Sequence, residues 1–92
     1  MKYSFLAVFS VDKYDAKWIN VVFPDLPGAV TCGVGREDAM FMAKDLLRTI
    51  IEENIIDVSI VKPSSEKTIR ELYPDGDIVT ITYDSDSGVR RE

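Results

Sequence analysis

Eleven residues, "FPDLPGAVTCG" from Phe23 to Gly33, hold two prolines and two glycines between two runs of strand formers. Nothing else in the chain restricts the fold as strongly. Proline locks φ and removes a main-chain donor, so Pro24 ends the strand "KWINVVF" before it can continue inside a ladder. In "LPGA", Pro27 presets the second position of a β-turn and Gly28 supplies the positive φ that a type II turn needs at the third. The chain is therefore expected to reverse at Leu26–Ala29 and resume as a strand at "AVTCGV". Pro24, Leu26, Pro27 and Gly28 are assigned to the structure of this corner.

Period-two alternation marks the other strands. "KYSFLAVFSV" (2–11) sets Tyr3, Phe5, Ala7, Phe9 and Val11 on one face. "KWINVVF" (17–23) sets Ile19, Val21 and Phe23 on one face and Trp18, Asn20 and Val22 on the other. "DIVTITYD" (77–84) opposes Val79, Ile81 and Tyr83 to Thr80 and Thr82. The face of Trp18 is left open between core and outer surface. Cys32, in the third strand, is expected to be a small core residue.

A helix is predicted over "REDAMFMAKDLLRTIIEEN" with Gly35 as N-cap. At about 100° per residue, Ala39, Ala43, Leu46, Leu47 and Ile50 share a stripe. Glu37 and Asp38 occupy its first turn, where negative charge is favoured. Phe41 breaks the pattern by falling among Lys44, Asp45, Arg48 and Glu52, and it is the candidate for an oligomer contact. Ile55, Ile56, Val58 and Ile60 are expected to pin a connector to the body. Ser64 or Ser65 can cap a second helix, "EKTIRELY". The predicted order is β-β-β-α-α-β, an α+β fold with a mostly antiparallel sheet and helices on one face. Residues 1–84 form the domain and 85–92 a polar tail. The last strand must cross over, with a place beside the first strand available to it.

Ninety-two residues make one domain. A domain of this size buries only about 60% of its unfolded surface, so its core is thin and association with another chain would add stability. Eleven Lys and Arg stand against sixteen Asp and Glu, a net charge of −5. Phosphate neutralisation drives most nucleic-acid affinity, so this balance suits a basic protein partner better than a nucleic acid. No leader-like or membrane-length apolar run is present, and a cytoplasmic setting is expected.

Histidine is absent, which removes the commonest general base and metal ligand together. Cys32 has no base partner, zinc-type spacing is missing, and "GVG" lacks the register of a phosphate loop. Asp12 and Asp84 at strand ends and Asp25 in the corner are the only hint of two-metal chemistry. Strand-end aspartates are ordinary turn residues. No enzyme activity, catalytic residue, metal or cofactor is expected; metal-dependent RNA cleavage lost in Asp12→Asn would argue otherwise.

"FPDLPGAVTCG" followed by "EDAM...AKDLL", with the later "KPSS" and "GDIVTITYD", resembles the HicB-type antitoxins over Tyr3 to Asp84. The resemblance implies a degraded, catalytically silent ribonuclease H-like fold. It also implies a binding module that neutralises a small, basic, mRNA-cleaving HicA toxin by covering its RNA face or catalytic histidine. Dimers or higher oligomers are implied as well. Residues assigned to toxin contact are Trp18, Asp25, Glu37 and Asp38. The chain departs from the family at Gly35, where Ser or Thr is usual. It also has no stretch for the C-terminal DNA-binding domain that many members carry, so operator binding is not expected of it, and without a membrane-length apolar run no membrane partner is expected either. An orphan adaptor that homo-oligomerises without a toxin is the alternative.

Overall fold

The computed structural model describes residues 2–84. Strand β1 (Lys2–Val11) is followed by β2 (Trp18–Val22), β3 (Val30–Val34), α1 (Arg36–Glu52), a 3-10 turn over Val58–Ile60, α2 (Glu66–Leu72) and β4 (Asp77–Asp84). The four strands form one antiparallel sheet in the order β3-β2-β1-β4. The expected α+β architecture, element order and flanking position of the last strand are all present. The polar tail at 85–92 lies outside the described residues.

The corner between β2 and β3 closes as its prolines and glycine dictate. Ala29 donates its N–H to the Leu26 carbonyl at 3.0 Å, and Gly28 sits at φ 78° between them. A second turn precedes it, with the Leu26 N–H on the Phe23 carbonyl at 3.0 Å. Phe23, Leu26 and Ala29 are all buried, so the turn is a lid on the core.

Alternation sends Phe5, Ala7, Phe9, Val21, Phe23 and Ile81 to one face, where α1 covers them with Ala39, Ala43, Leu47 and Ile50. Two alanines let the helix approach closely. Where the helix starts under β3, a side chain at Gly33 would lie 2.5 Å from the Ala39 main-chain nitrogen. Helix α1 starts at Gly35 (φ 84°) without a side-chain N-cap bond. It ends with Asn54 in the left-handed region (φ 52°), as Asn54 N–H reaches the Ile51 carbonyl and Ile55 N–H the Ile50 carbonyl. That double bond is the Schellman arrangement, and it satisfies carbonyls the helix leaves open.

Three expectations need correction. Cys32 is exposed. It shares its face with Val30 and Val34, and the inward position it was expected to fill belongs to its neighbours Thr31 and Gly33. In the connector, Ile56 and Val58 pack on the core together with Val61, whereas Ile55 and Ile60 are exposed. The 3-10 turn, capped by Asp57 through the Ser59 N–H at 3.1 Å, rotates Ile60 away. Finally, α1 alone covers the main core. Helix α2 has seven residues and buries only Ile69, which is outside that cluster, and the turn after it lies on the other face, with Gly76 against Val8.

Candidate partner-binding surface

The sheet face away from α1 is only partly covered. A cross-strand row, Val30–Val22–Val8–Ile78, runs over all four strands. Val8 is buried and Val22 and Ile78 half-buried, but Val30 is 63% exposed. Toward the β1–β2 loop the next positions are Ser10, Asn20 and Cys32, and then Trp18 opposite Val34. Between β1 and β3 this face holds a shallow depression of about 390 Å³, lined among others by Ser10, Asn20, Val22, Val30 and Cys32. Trp18 is 38% exposed there, which settles its face: the indole belongs to the outer surface. Apolar side chains left open on a sheet face mark a contact surface more often than scattered ones do.

Carboxylates stand at the loop end of this face. Asp12 accepts three bonds, from the N–H groups of Tyr14 (3.0 Å) and Asp15 (3.1 Å) and from Asn20 Nδ2 (3.2 Å). These donors, Asn20 foremost, hold its pKa below the usual carboxylate value. Asp12 therefore builds the hairpin turn. Among the described residues, no group of three or more His, Cys, Asp or Glu side chains comes together to hold a metal.

The four residues expected to meet a toxin do not form one cluster of free groups. Asp25 is half-buried, and its carboxylate accepts the Ser64 N–H at 2.8 Å and the Ser64 hydroxyl at 2.6 Å. It ties the corner to the residues just before α2. Asp38 accepts the Val34 N–H at 2.9 Å, joining the first turn of α1 to β3. Trp18 and Glu37 are exposed, on β2 and at the start of α1 respectively. The Asp25–Ser64 pairing has one signal in the sequence, the "KPSS" run, in which Ser64 or Ser65 is expected as a helix cap. Ser65 does that capping, accepting the Thr68 N–H at 3.2 Å.

Phe41 lies elsewhere, on the solvent side of α1, 65% exposed. It borders a second depression of about 340 Å³ with Lys44, Arg48, Thr82 and Tyr83. This surface is ionic in character: Arg48 bridges Asp45 at 2.5 Å and Glu52 at 3.2 Å, while the Tyr83 hydroxyl donates to Glu52. Asp45 and Glu52 keep the Arg48 guanidinium charged over a still wider range than usual. Among the described residues, no helix is long and apolar enough to cross a membrane.

Residues 4–72 match the family described as HicB-like antitoxin of bacterial toxin-antitoxin systems. The chain belongs to that family. A search of curated proteins and one of solved structures each return no match.

Proposed function

We propose that this HicB-like antitoxin neutralises a small, basic, mRNA-cleaving HicA-like toxin by covering its RNA-binding and catalytic face. The observation that supports this best is the open sheet face, uncharged from Val30 to Trp18 and flanked by Asp12, within a chain of net charge −5. Apolar contact supplies affinity at the centre of such a surface, while surrounding carboxylates steer a basic partner into place.

Trp18 is the anchor in this reading, since aromatic side chains dominate interface energetics. Glu37 adds charge from the start of α1. Asp25 and Asp38 act at one remove, holding the corner and the β3–α1 junction in shape through Ser64 and Val34. The module spans residues 1–84, descends from a ribonuclease H-like ancestor, works in the cytoplasm and performs no catalysis of its own.

On this proposal a neighbouring reading frame encodes a short, strongly basic protein, and the test is co-expression with it. The wild-type chain should co-purify with that protein and suppress its RNA cleavage, and Trp18→Ala should weaken binding by about tenfold or more. Failure of the wild-type chain to bind, or RNA cleavage by the chain unaided, would overturn the proposal. The second reading, an orphan adaptor that homo-oligomerises, is favoured by the exposure of Phe41 and predicts no basic neighbour.

A further inference from the structure

We infer that the open edge of β4 takes up an extended, basic segment of a partner protein as a further antiparallel strand, seated in the groove between that edge and α1. This contact is separate from the sheet face assigned to the toxin and does not rest on that reading.

The ladder register decides which groups of β4 are free. At the end of the β1–β2 ladder the Asp12 N–H bonds the Trp18 carbonyl at 2.9 Å. Hydrogen-bonded pairs alternate along an antiparallel ladder. Ser10 and Val8 therefore turn their main-chain groups to β2, and Phe9, Ala7, Phe5 and Tyr3 turn theirs to β4. Their partners across that second ladder are Asp77, Val79, Ile81 and Tyr83. The N–H and C=O groups of Ile78, Thr80 and Thr82 thus point out of the sheet. Among the described residues nothing bonds the main-chain groups of Thr80 and Thr82, and both residues are exposed.

Between Asp77 and Asp84, β4 reads "IVTITY", six strand formers without a proline or a charge. Proteins normally blunt an edge with such residues, because unpaired backbone recruits another strand. This edge is left unguarded along its middle.

The edge also borders a groove. Phe41, Lys44 and Arg48 of α1 stand beside Thr82 and Tyr83 around a depression of about 340 Å³. The Thr82 hydroxyl is turned to the opposite face, where it meets the Ser4 hydroxyl at 2.9 Å, so Thr82 lines the groove with its main chain. A sheet edge with a neighbouring pocket suits strand addition: ladder bonds give affinity, and every second side chain enters the pocket. A residue placed opposite Ile81 or Tyr83 points toward α1, where Phe41 is 65% exposed. Residues opposite Thr80 and Thr82 point to the other face.

Charge selects the occupant. Along this edge Arg36, Lys44 and Arg48 stand against Asp45, Glu52, Asp77 and Asp84, an acidic excess within a chain of net −5. The Arg48 guanidinium is already held by Asp45 and Glu52, and Arg36 by Asp77. A segment that is apolar at the positions facing Phe41 and basic at those between them matches both the groove and the charge. A second copy does not, since laid antiparallel along β4 it would bring the terminal aspartates of the two strands together.

The probe is a capped octapeptide of alternating valine and arginine, added to the full chain and followed by amide hydrogen exchange. In the free chain the Thr80 and Thr82 amides should exchange quickly and those of Val79 and Ile81 slowly; the peptide should slow Thr80 and Thr82. Thr80→Pro removes one outward donor while sparing the ladder to β1, and should weaken binding by at least about tenfold. Phe41→Ala, outside the core, should weaken it by about tenfold and keeps the question answerable if Thr80→Pro does not fold. An alternating valine–glutamate peptide should bind at least about tenfold more weakly, and equal binding overturns the choice of a basic occupant. No protection of Thr80 and Thr82 by the valine–arginine peptide, or protection confined to Trp18 and Val30, overturns the inference. So does slow exchange of Thr80 and Thr82 in the free chain, because the edge would then be filled by residues 85–92 or by a second copy.

Discussion

The Asp25 carboxylate holds Ser64 at two points, its N–H at 2.8 Å and its hydroxyl at 2.6 Å, across thirty-nine positions of sequence. One side chain thus fastens the corner that reverses the sheet to the segment that leads into α2. Because the pair is half-buried, losing it leaves donors without partners. Asp25→Ala should lower stability by about 1–3 kcal/mol, measured as a shift in the urea midpoint at constant slope. If the same variant instead lost toxin binding with an unchanged midpoint, Asp25 would be a contact residue and the structural role would be wrong.

Gly33 and Gly28 differ in why they are glycine. A methyl at Gly33 would meet the Ala39 main chain at 2.5 and 2.7 Å, and backbone beneath a packed strand cannot move aside cheaply. Gly33→Ala should cost about 3 kcal/mol or more by forcing α1 off the sheet. Gly28 faces open space and only its φ of 78° resists a side chain, so Gly28→Ala should cost about 1–2 kcal/mol. Chemical denaturation of both variants checks the order; equal losses would contradict the close approach of α1 to β3.

Leu47 and Phe41 sit six positions apart on one helix and should behave oppositely. Leu47 is fully buried against the sheet, and Leu47→Ala should remove about 2–5 kcal/mol. A domain of this size holds only about 5–15 kcal/mol in total, so the variant should be partly unfolded at moderate temperature. Phe41→Ala should leave the melting temperature nearly unchanged. Thermal melts followed by circular dichroism separate the two.

At alkaline pH the bond from the Tyr83 hydroxyl to Glu52 sets the response. Glu52 needs the phenol protonated to accept from it, and with partial burial and the nearby carboxylate charge this raises the Tyr83 pKa above the ordinary 10.0. A folded pKa above the unfolded one means the native state keeps the proton longer. The contribution is then fully present below pH 10 and is lost as pH rises from there through the folded value. Spectrophotometric titration of the wild-type chain against Tyr83→Phe should assign to Tyr83 an ionisation above pH 10, and Tyr83→Phe should flatten the decline in stability above pH 10. An unchanged decline in that variant would remove Tyr83 as its source.

Local patterns in the chain were enough for every strand, both helices and the corner. Alternation set which residues of β1, β2 and β4 face α1, and Pro27–Gly28 fixed where the sheet turns back. The helical stripe marked Ala39, Ala43, Leu47 and Ile50 as core and Phe41 as outward. Each of these depends on residues a few positions apart, where backbone geometry alone relates side chain to side chain. The family was legible for the same reason, since its motif is one continuous stretch.

What tertiary structure alone decided is which of those faces found cover. Cys32 and Trp18 lie on the sheet face that α1 does not reach, and only the sheet order reveals that half of this face stays open. Asp25 and Asp38 read as surface carboxylates until folding brought the main-chain N–H groups of Ser64 and Val34 to them. Alternation and periodicity act within one element and state a side chain's direction. Whether that direction ends in solvent, in a helix or on a distant donor depends on where the rest of the chain is packed.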